Sequence, residues 1–185
     1  MAARTILSLE EFLKLPEHEE DGTHYELDEG QLIVLPPPRR PHAFLMSTIT
    51  TYLNLALDRK RFMVFCGDLG YLLDETEDRS TVRGADISIE EARPLEKLQE
   101  DDQVARGAPL VAIEIVSPSN RPGYLQRKVR QYLQAGAAEV WVVYPSTQET
   151  HVFRADTAEP EIYPRGQSFS TCTGITVDTE RFFAR

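Results

Sequence analysis

The stretch PLVAIEIV, Pro109 to Val116, decides how the rest of the chain is read. Apart from Glu114 every position is apolar, and the run ends in turn-forming residues, so it predicts a buried strand. The break SPSNRPG follows. Next comes YLQRKVRQYLQAG, where Leu125, Val129, Tyr132 and Leu133 form an apolar stripe and Gly136 supplies the stop. A second apolar strand, AEVWVVYP, closes the unit. Two strands joined by such a helix predict a right-handed parallel crossover.

Upstream, FMVFC, GYLLD and VRGADISI read as three short strands. Before them, HAFLMSTITTYLNLALD repeats apolar residues at helical spacing from Phe44 to Ala56, and Arg59, Lys60 and Arg61 close that helix with cations. The tract PPPRRP, Pro36 to Pro41, predicts a stiff linker without regular structure. THYELDEGQLIVLP gives two strands around an Asp28-Glu29-Gly30 turn, and SLEEFLKL a short helix opened by a Ser8–Glu11 capping box. The charged segment from Ala92 to Arg106 predicts a surface helix with a loop. Downstream, ETHVFR, EPEIYP and QSFS read as antiparallel strands, and VDTERFFAR as a closing helical turn. No internal repeat or shift of composition marks a boundary. The expectation is one α/β domain over residues 1–185, a mixed β-sheet flanked by α-helices with additional antiparallel strands.

Composition narrows the class. With 41% hydrophobic residues in 185, the chain can build an ordinary core and is not a disordered one. Thirty acidic against twenty basic residues give a net charge of −10, which excludes a generic nucleic-acid coat protein. Cys66 and Cys172 form no CxxC pair, so neither a disulfide scaffold nor a structural zinc site is expected. The start, MAARTILSLEEF, lacks the apolar core of a signal peptide, and no run reaches the roughly 18 apolar residues of a membrane span. A cytoplasmic protein with no membrane association is expected.

Two carboxylates stand where strands ought to be apolar: Glu114 in VAIEIV and Asp86 in GADISI. A lone carboxylate in a covered strand is costly unless it is paired or binds a cation. On neighbouring strands the two can come within reach of one ion, and their oxygens suit Mg²⁺ or Mn²⁺. Lys128 lies at the border of the stripe on the following helix, from which its ammonium can reach the end of the Glu114 strand. Two carboxylates, a divalent ion and a lysine suffice for phosphodiester hydrolysis. Each residue alone also fits a plainer role: a paired structural carboxylate for Glu114, a strand-end aspartate for Asp86, a snorkelling surface lysine for Lys128. No G-x-S-x-G elbow, P-loop or G-x-G-x-x-G is present, and His18, His24 and His151 show no ligand spacing.

These residues also carry a family resemblance. From about Ser8 to Phe183 the chain resembles a bacterial family of endonucleases in the PD-(D/E)XK superfamily, the restriction-endonuclease-like Uma family. The motifs, in the family's order, are YELDEGQLIVLPPP, PH before a long helix, GADISI, VAIEIVSPSN, RKVRQYLQAG and AEVWVVYP. The resemblance implies a restriction-endonuclease-like core and a divalent-metal site with Mg²⁺ (or Mn²⁺) as cofactor. Asp86 matches the metal-binding aspartate, Glu114 the acidic strand residue, and Lys128 a lysine moved onto the next helix. Val116 fills the superfamily's usual lysine position. Glu26 in YEL matches a residue that the family places near the site, as does His42. The sequence departs from the family pattern at Ala85, Ala43, Gly123-Tyr124 and Tyr144.

The implied activity is metal-dependent hydrolysis of DNA, with Asp86, Glu114, Lys128 and Glu26 as catalytic residues. The alternative is a nuclease-like nucleic-acid-binding or protein-interaction module without turnover. His42, Arg121 and Arg127 are the candidate nucleic-acid contacts, and a homodimer is the expected assembly, because symmetric cleavage of two strands needs two sites. The charge is uneven. Residues 36–62 and 117–135 each carry a net +4, leaving −18 elsewhere. That distribution predicts a locally basic cleft on an acidic body.

Overall fold

In the computed structural model, residues 5–76, 79–98, 104–117 and 122–184 are described, and among them the chain forms eleven strands and five helices, numbered here in chain order. Strand β6 (Val111–Ile115) is central and wholly buried. It pairs antiparallel with β4 (Thr81–Glu91) and parallel with β7 (Glu139–Tyr144). Helix α4 (Pro122–Gln134) lies between β6 and β7 in the chain, so the expected parallel crossover is present. The sheet runs β2 (Gln31–Leu35), β1 (His24–Asp28), β4, β6, β7, β8 (Glu149–Arg154), β9 (Glu161–Pro164). Strand β3 (Phe62–Asp74) pairs along β4, and β5 (Ala105–Arg106) along β3. Strands β10 (Ser168–Ser170) and β11 (Thr176–Asp178) form a small separate hairpin. This is the α/β mixed sheet that the sequence predicts.

Alternation along β6 divides its side chains between two layers. Val111, Ile113 and Ile115 pack in one core with Leu45, Ile49 and Leu53 of α2 (Arg40–Ala56) and with Phe182 and Phe183 of α5 (Glu180–Phe183). Ala112 packs in the other with Leu125, Val129 and Tyr132 of α4. Glu114, two residues beyond Ala112, therefore faces α4. The short helix α1 (Leu9–Phe12) has its capping box: Ser8 Oγ accepts from the Glu11 amide at 3.2 Å, and the Glu11 carboxylate accepts from the Ser8 amide at 2.8 Å. Such a cap contributes about 1 kcal/mol. The end strands β2 and β9 both meet proline: β2 runs into Pro36, Pro37 and Pro38, and β9 follows Pro160 and ends on Pro164. Among the described residues no helix is long and apolar enough to cross a membrane.

Two local expectations are corrected. The PPPRRP tract is not structureless throughout: α2 starts at Arg40, with Pro41 in the first turn. There the missing N–H costs no helical hydrogen bond, and the ring's fixed φ suits the helix. FMVFC and GYLLD are not two strands but the halves of β3, whose register against β4 jumps between Cys66 and Leu69. There Gly67 (φ +102°) and Asp68 (φ +62°) stand against the single residue Asp86 and form a bulge. Among its described residues the Ala92–Arg106 segment has the expected surface helix, the four-residue α3 (Leu95–Leu98), with β5 at its end; residues 99–103 lie outside those described. Opposite the bulge, a Cβ on Gly84 would stand 2.9 Å from the Asp68 carbonyl oxygen, so only glycine lets the two strands approach this closely.

Candidate active site

Strand register brings the two predicted carboxylates together. Ile87 lies opposite Ile113 and Ser88 opposite Ala112, and continuing that antiparallel register sets Asp86 across from Glu114. Both are buried. Asp86 Oδ2 accepts from the Ile115 amide at 2.5 Å and lies 3.1 Å from His42 Nε2. His42 stands in the first turn of α2, so that helix delivers an imidazole to the strand. Burial resists charge on both partners, but their hydrogen bond and mutual attraction prevail: the His42 pKa is raised and that of Asp86 lowered.

Glu114 and Lys128 face each other between sheet and helix. Lys128 Nζ donates to Glu114 Oε2 at 2.7 Å, and Glu114 Oε1 is buried with no hydrogen-bond partner among the described residues. Burial pushes the Glu114 carboxyl well above the usual range. The neighbouring Asp86 and Glu26 charges push the same way, against the pull of Lys128. Lys128 stays protonated, because Glu114 and Glu26 together outweigh its burial and raise its pKa.

Glu26, on β1, is saturated with donors. Oε1 is 2.9 Å from Lys128 Nζ and 3.0 Å from the Gly84 amide nitrogen. Oε2 accepts from Arg83 Nη1 at 2.9 Å and from the Tyr124 hydroxyl. Although burial opposes ionisation, the Lys128 and Arg83 charges bring the Glu26 pKa down to about 2. Arg83 has no exposed surface; its Nε donates to Gln131 at 2.8 Å, and its Nη2 lies 2.9 Å from Asp28 Oδ1.

Asp86, Glu114, Lys128 and His42 line one pocket of about 140 Å³, together with Arg39, Asp68 and Tyr124. A larger hollow, about 200 Å³, lies on the α1 side of His24 and Asp68 and holds none of the predicted site residues. The pocket is not the basic cleft that the charge distribution predicts. It carries three carboxylates beside Arg39, and of the described cations named for it His42 is paired with Asp86 and Arg127 is engaged elsewhere. Arg127 donates to Asp28 at 2.9 Å and lies 2.8 Å from Glu29, so it is held by the β1–β2 turn. Arg121 lies outside the described residues. Acidic residues distant in sequence fold back onto the basic helix.

Three residues of the site are absent from the sequence-based set. Asp68 projects from the β3 bulge; burial and the nearby Asp86 charge raise its pKa. A lone acidic residue between two apolar runs reads as a loop residue, and only the bulge reveals otherwise. Arg83 occupies a strand position that no pattern marks as internal. Tyr124 stands at a departure from the family pattern, which was the one signal available.

The site's donors fit a divalent cation. Among the described residues no three His, Cys, Asp or Glu side chains form a ready metal cage. The smaller set of Asp86 and Glu114 is nevertheless hard oxygen, and it includes Glu114 Oε1, which has no hydrogen-bond partner among the described residues. Mg²⁺ is commonly held by one or two carboxylates, with waters and substrate completing its shell.

Comparison with known proteins gives the family and the fold. Residues 9–180 match the family model Uma2, described as putative restriction endonuclease. No curated protein matches. Among solved structures, the fold resembles a putative nuclease belonging to DUF820 from Anabaena variabilis. The TM-score is 0.78 at 20% identity, over 96% of this chain and 98% of that one.

Proposed function

The chain belongs to the Uma2 restriction-endonuclease family, and from that premise we propose that it is a divalent-metal-dependent endonuclease hydrolysing phosphodiester bonds of DNA. The observation that carries the reading is the register that sets Asp86 across from Glu114, with Lys128 Nζ 2.7 Å from the latter. Asp86 and Glu114 would hold the ion, Mg²⁺ or Mn²⁺. When bound, it polarises the phosphate and lowers the pKa of an attacking water. His42 restrains the Asp86 carboxylate through their hydrogen bond. Lys128, kept charged by its two carboxylates, orients the water or stabilises negative charge that develops on the phosphate. Arg39 at the pocket mouth meets the sugar-phosphate backbone. Water is the nucleophile and the cleaved strand ends in a 5′-phosphate. Cutting both strands symmetrically calls for a homodimer.

Nicking of supercoiled plasmid in Mg²⁺ or Mn²⁺ tests the reading. Wild type should nick, and Asp86→Ala and Glu114→Ala should each lose activity by about a hundredfold or more. Equal cleavage by all three would sink the assignment. Salt-dependent DNA binding without cleavage in any divalent ion would replace it with a binding module.

A further inference from the structure

Lys128 has three N–H donors on a flexible four-carbon stem, and such a side chain does not hold one position unless its surroundings impose it. Among the described residues, two contacts impose it: Glu114 Oε2 at 2.7 Å and Glu26 Oε1 at 2.9 Å. The Glu114 contact alone would let the ammonium swing about a single oxygen. The second anchor fixes its direction and leaves one N–H for the pocket.

Glu26 can serve as that anchor because it is itself immobilised from behind. The Gly84 amide holds Oε1, while Arg83 and the Tyr124 hydroxyl hold Oε2. Arg83 is fastened in turn by Gln131 and Asp28, lies 5.1 Å from the centre of the Tyr124 ring, and donates to the Tyr124 hydroxyl at 3.2 Å. These groups come from β1, β4 and α4. They therefore tie the helix that bears Lys128 to the strands that bear the carboxylates. With four donors on two oxygens, Glu26 has little capacity left for an ion.

We propose that Glu26, Arg83 and Tyr124 form a positioning unit that aims the Lys128 ammonium into the pocket, and that Glu26 is not a metal ligand. What Lys128 does there rests on the nuclease reading; its placement does not. The unit acts through Lys128, so its members are coupled to one another and not to the metal.

The experiment is a double-mutant cycle with Tyr124→Phe and Glu26→Gln, both close in shape to the native residues. Cleavage at saturating Mn²⁺, Mn²⁺ affinity by electron paramagnetic resonance, and the Lys128 ammonium resonance in ¹⁵N-lysine-labelled protein are read for each. Tyr124→Phe should slow cleavage about tenfold while Mn²⁺ affinity stays within about twofold. Added to Glu26→Gln, it should cost less than about twofold more. Multiplicative losses, or a fall of about tenfold or more in Mn²⁺ affinity with Glu26→Gln, would overturn the proposal. If wild type cleaves nothing, the nuclease reading fails and the resonance alone judges the placement. A wild-type signal that shifts or exchanges faster in Tyr124→Phe supports it, and identical signals overturn it.

Discussion

Glu114 on β6 and Glu139 on β7 are buried carboxylates on paired strands, and their surroundings differ in kind. Both carboxylate oxygens of Glu139 meet donors. Oε1 accepts from Arg154 Nε at 3.1 Å and from the Cys172 amide at 3.0 Å, and Oε2 accepts from Trp141 Nε1 at 2.9 Å. Arg154 sits directly opposite in register and is partly solvated, so the charge is balanced at the rim of the fold. Among the described residues, Glu114 shares its one cation with Glu26, faces Asp86, and leaves Oε1 without a partner. A carboxylate kept for structure is surrounded until it is satisfied. Glu114 is held short of satisfaction, with one buried oxygen left over, which is what the proposed metal site calls for.

The contrast can be broken most sharply by removing the cations. Lys128→Met leaves Glu26 and Glu114 buried with less compensation, and should lower unfolding free energy by about 3–5 kcal/mol in urea titration. Arg154→Met leaves Glu139 with two neutral donors and the solvent nearby, and should cost only about 1 kcal/mol. Similar losses in both would show that the two carboxylates are equivalent after all.

Acid offers a second separation. The folded pKa of Glu26, about 2, lies below the ordinary value of 4.5. The stability it contributes, about 3 kcal/mol, is therefore present above pH 4.5 and lost as pH falls toward 2. Glu114 has the opposite sign. Its folded pKa is raised, so it favours folding at lower pH and loses that contribution as pH rises through the folded value. Glu26→Gln should flatten the decline below pH 4.5 in thermal melts, and an unchanged acid limb would contradict the pairing described.

The smallest effect belongs to the satisfied side. Burial first, and then the Glu139 charge, pushes the Cys172 thiol up to about 11. At pH 8 only about one thiol in a thousand is then ionised. Alkylation of Cys172 by iodoacetamide, followed by peptide mass, should be slow and should speed up a few-fold in Glu139→Gln. No acceleration would mean that burial alone sets the thiol.

Much of this site was legible because a strand with one acid among apolar neighbours is physically conspicuous. Glu114 and Asp86 stood out on that ground, and Lys128 on its place at the border of the α4 stripe. The parallel pairing of β6 with β7 followed from the crossover. What was hidden depends on partners remote in sequence. Arg83 next to Gly84 looks like any strand cation until Glu26 and Asp28 arrive from β1. Asp68 looks like a loop residue until β3 is seen to continue past it. The basic segments suggested a basic cleft because spacing cannot show that Asp28 and Glu29 close on Arg127. Pro41 read as a breaker, although a first-turn proline costs a helix nothing.

The prolines at the two margins of the sheet bear on how the molecule tolerates its own company. Val34 on β2 and Ile162 on β9 are exposed side chains on outer strands, the kind of border that recruits a neighbour's backbone into a growing ribbon. Proline cannot donate to such a ladder, so Pro36 beyond β2 and Pro160 and Pro164 around β9 keep any borrowed pairing only a few residues long. Replacing them would turn the margins into templates, and the first symptom would be turbidity on concentration rather than any change at the carboxylates.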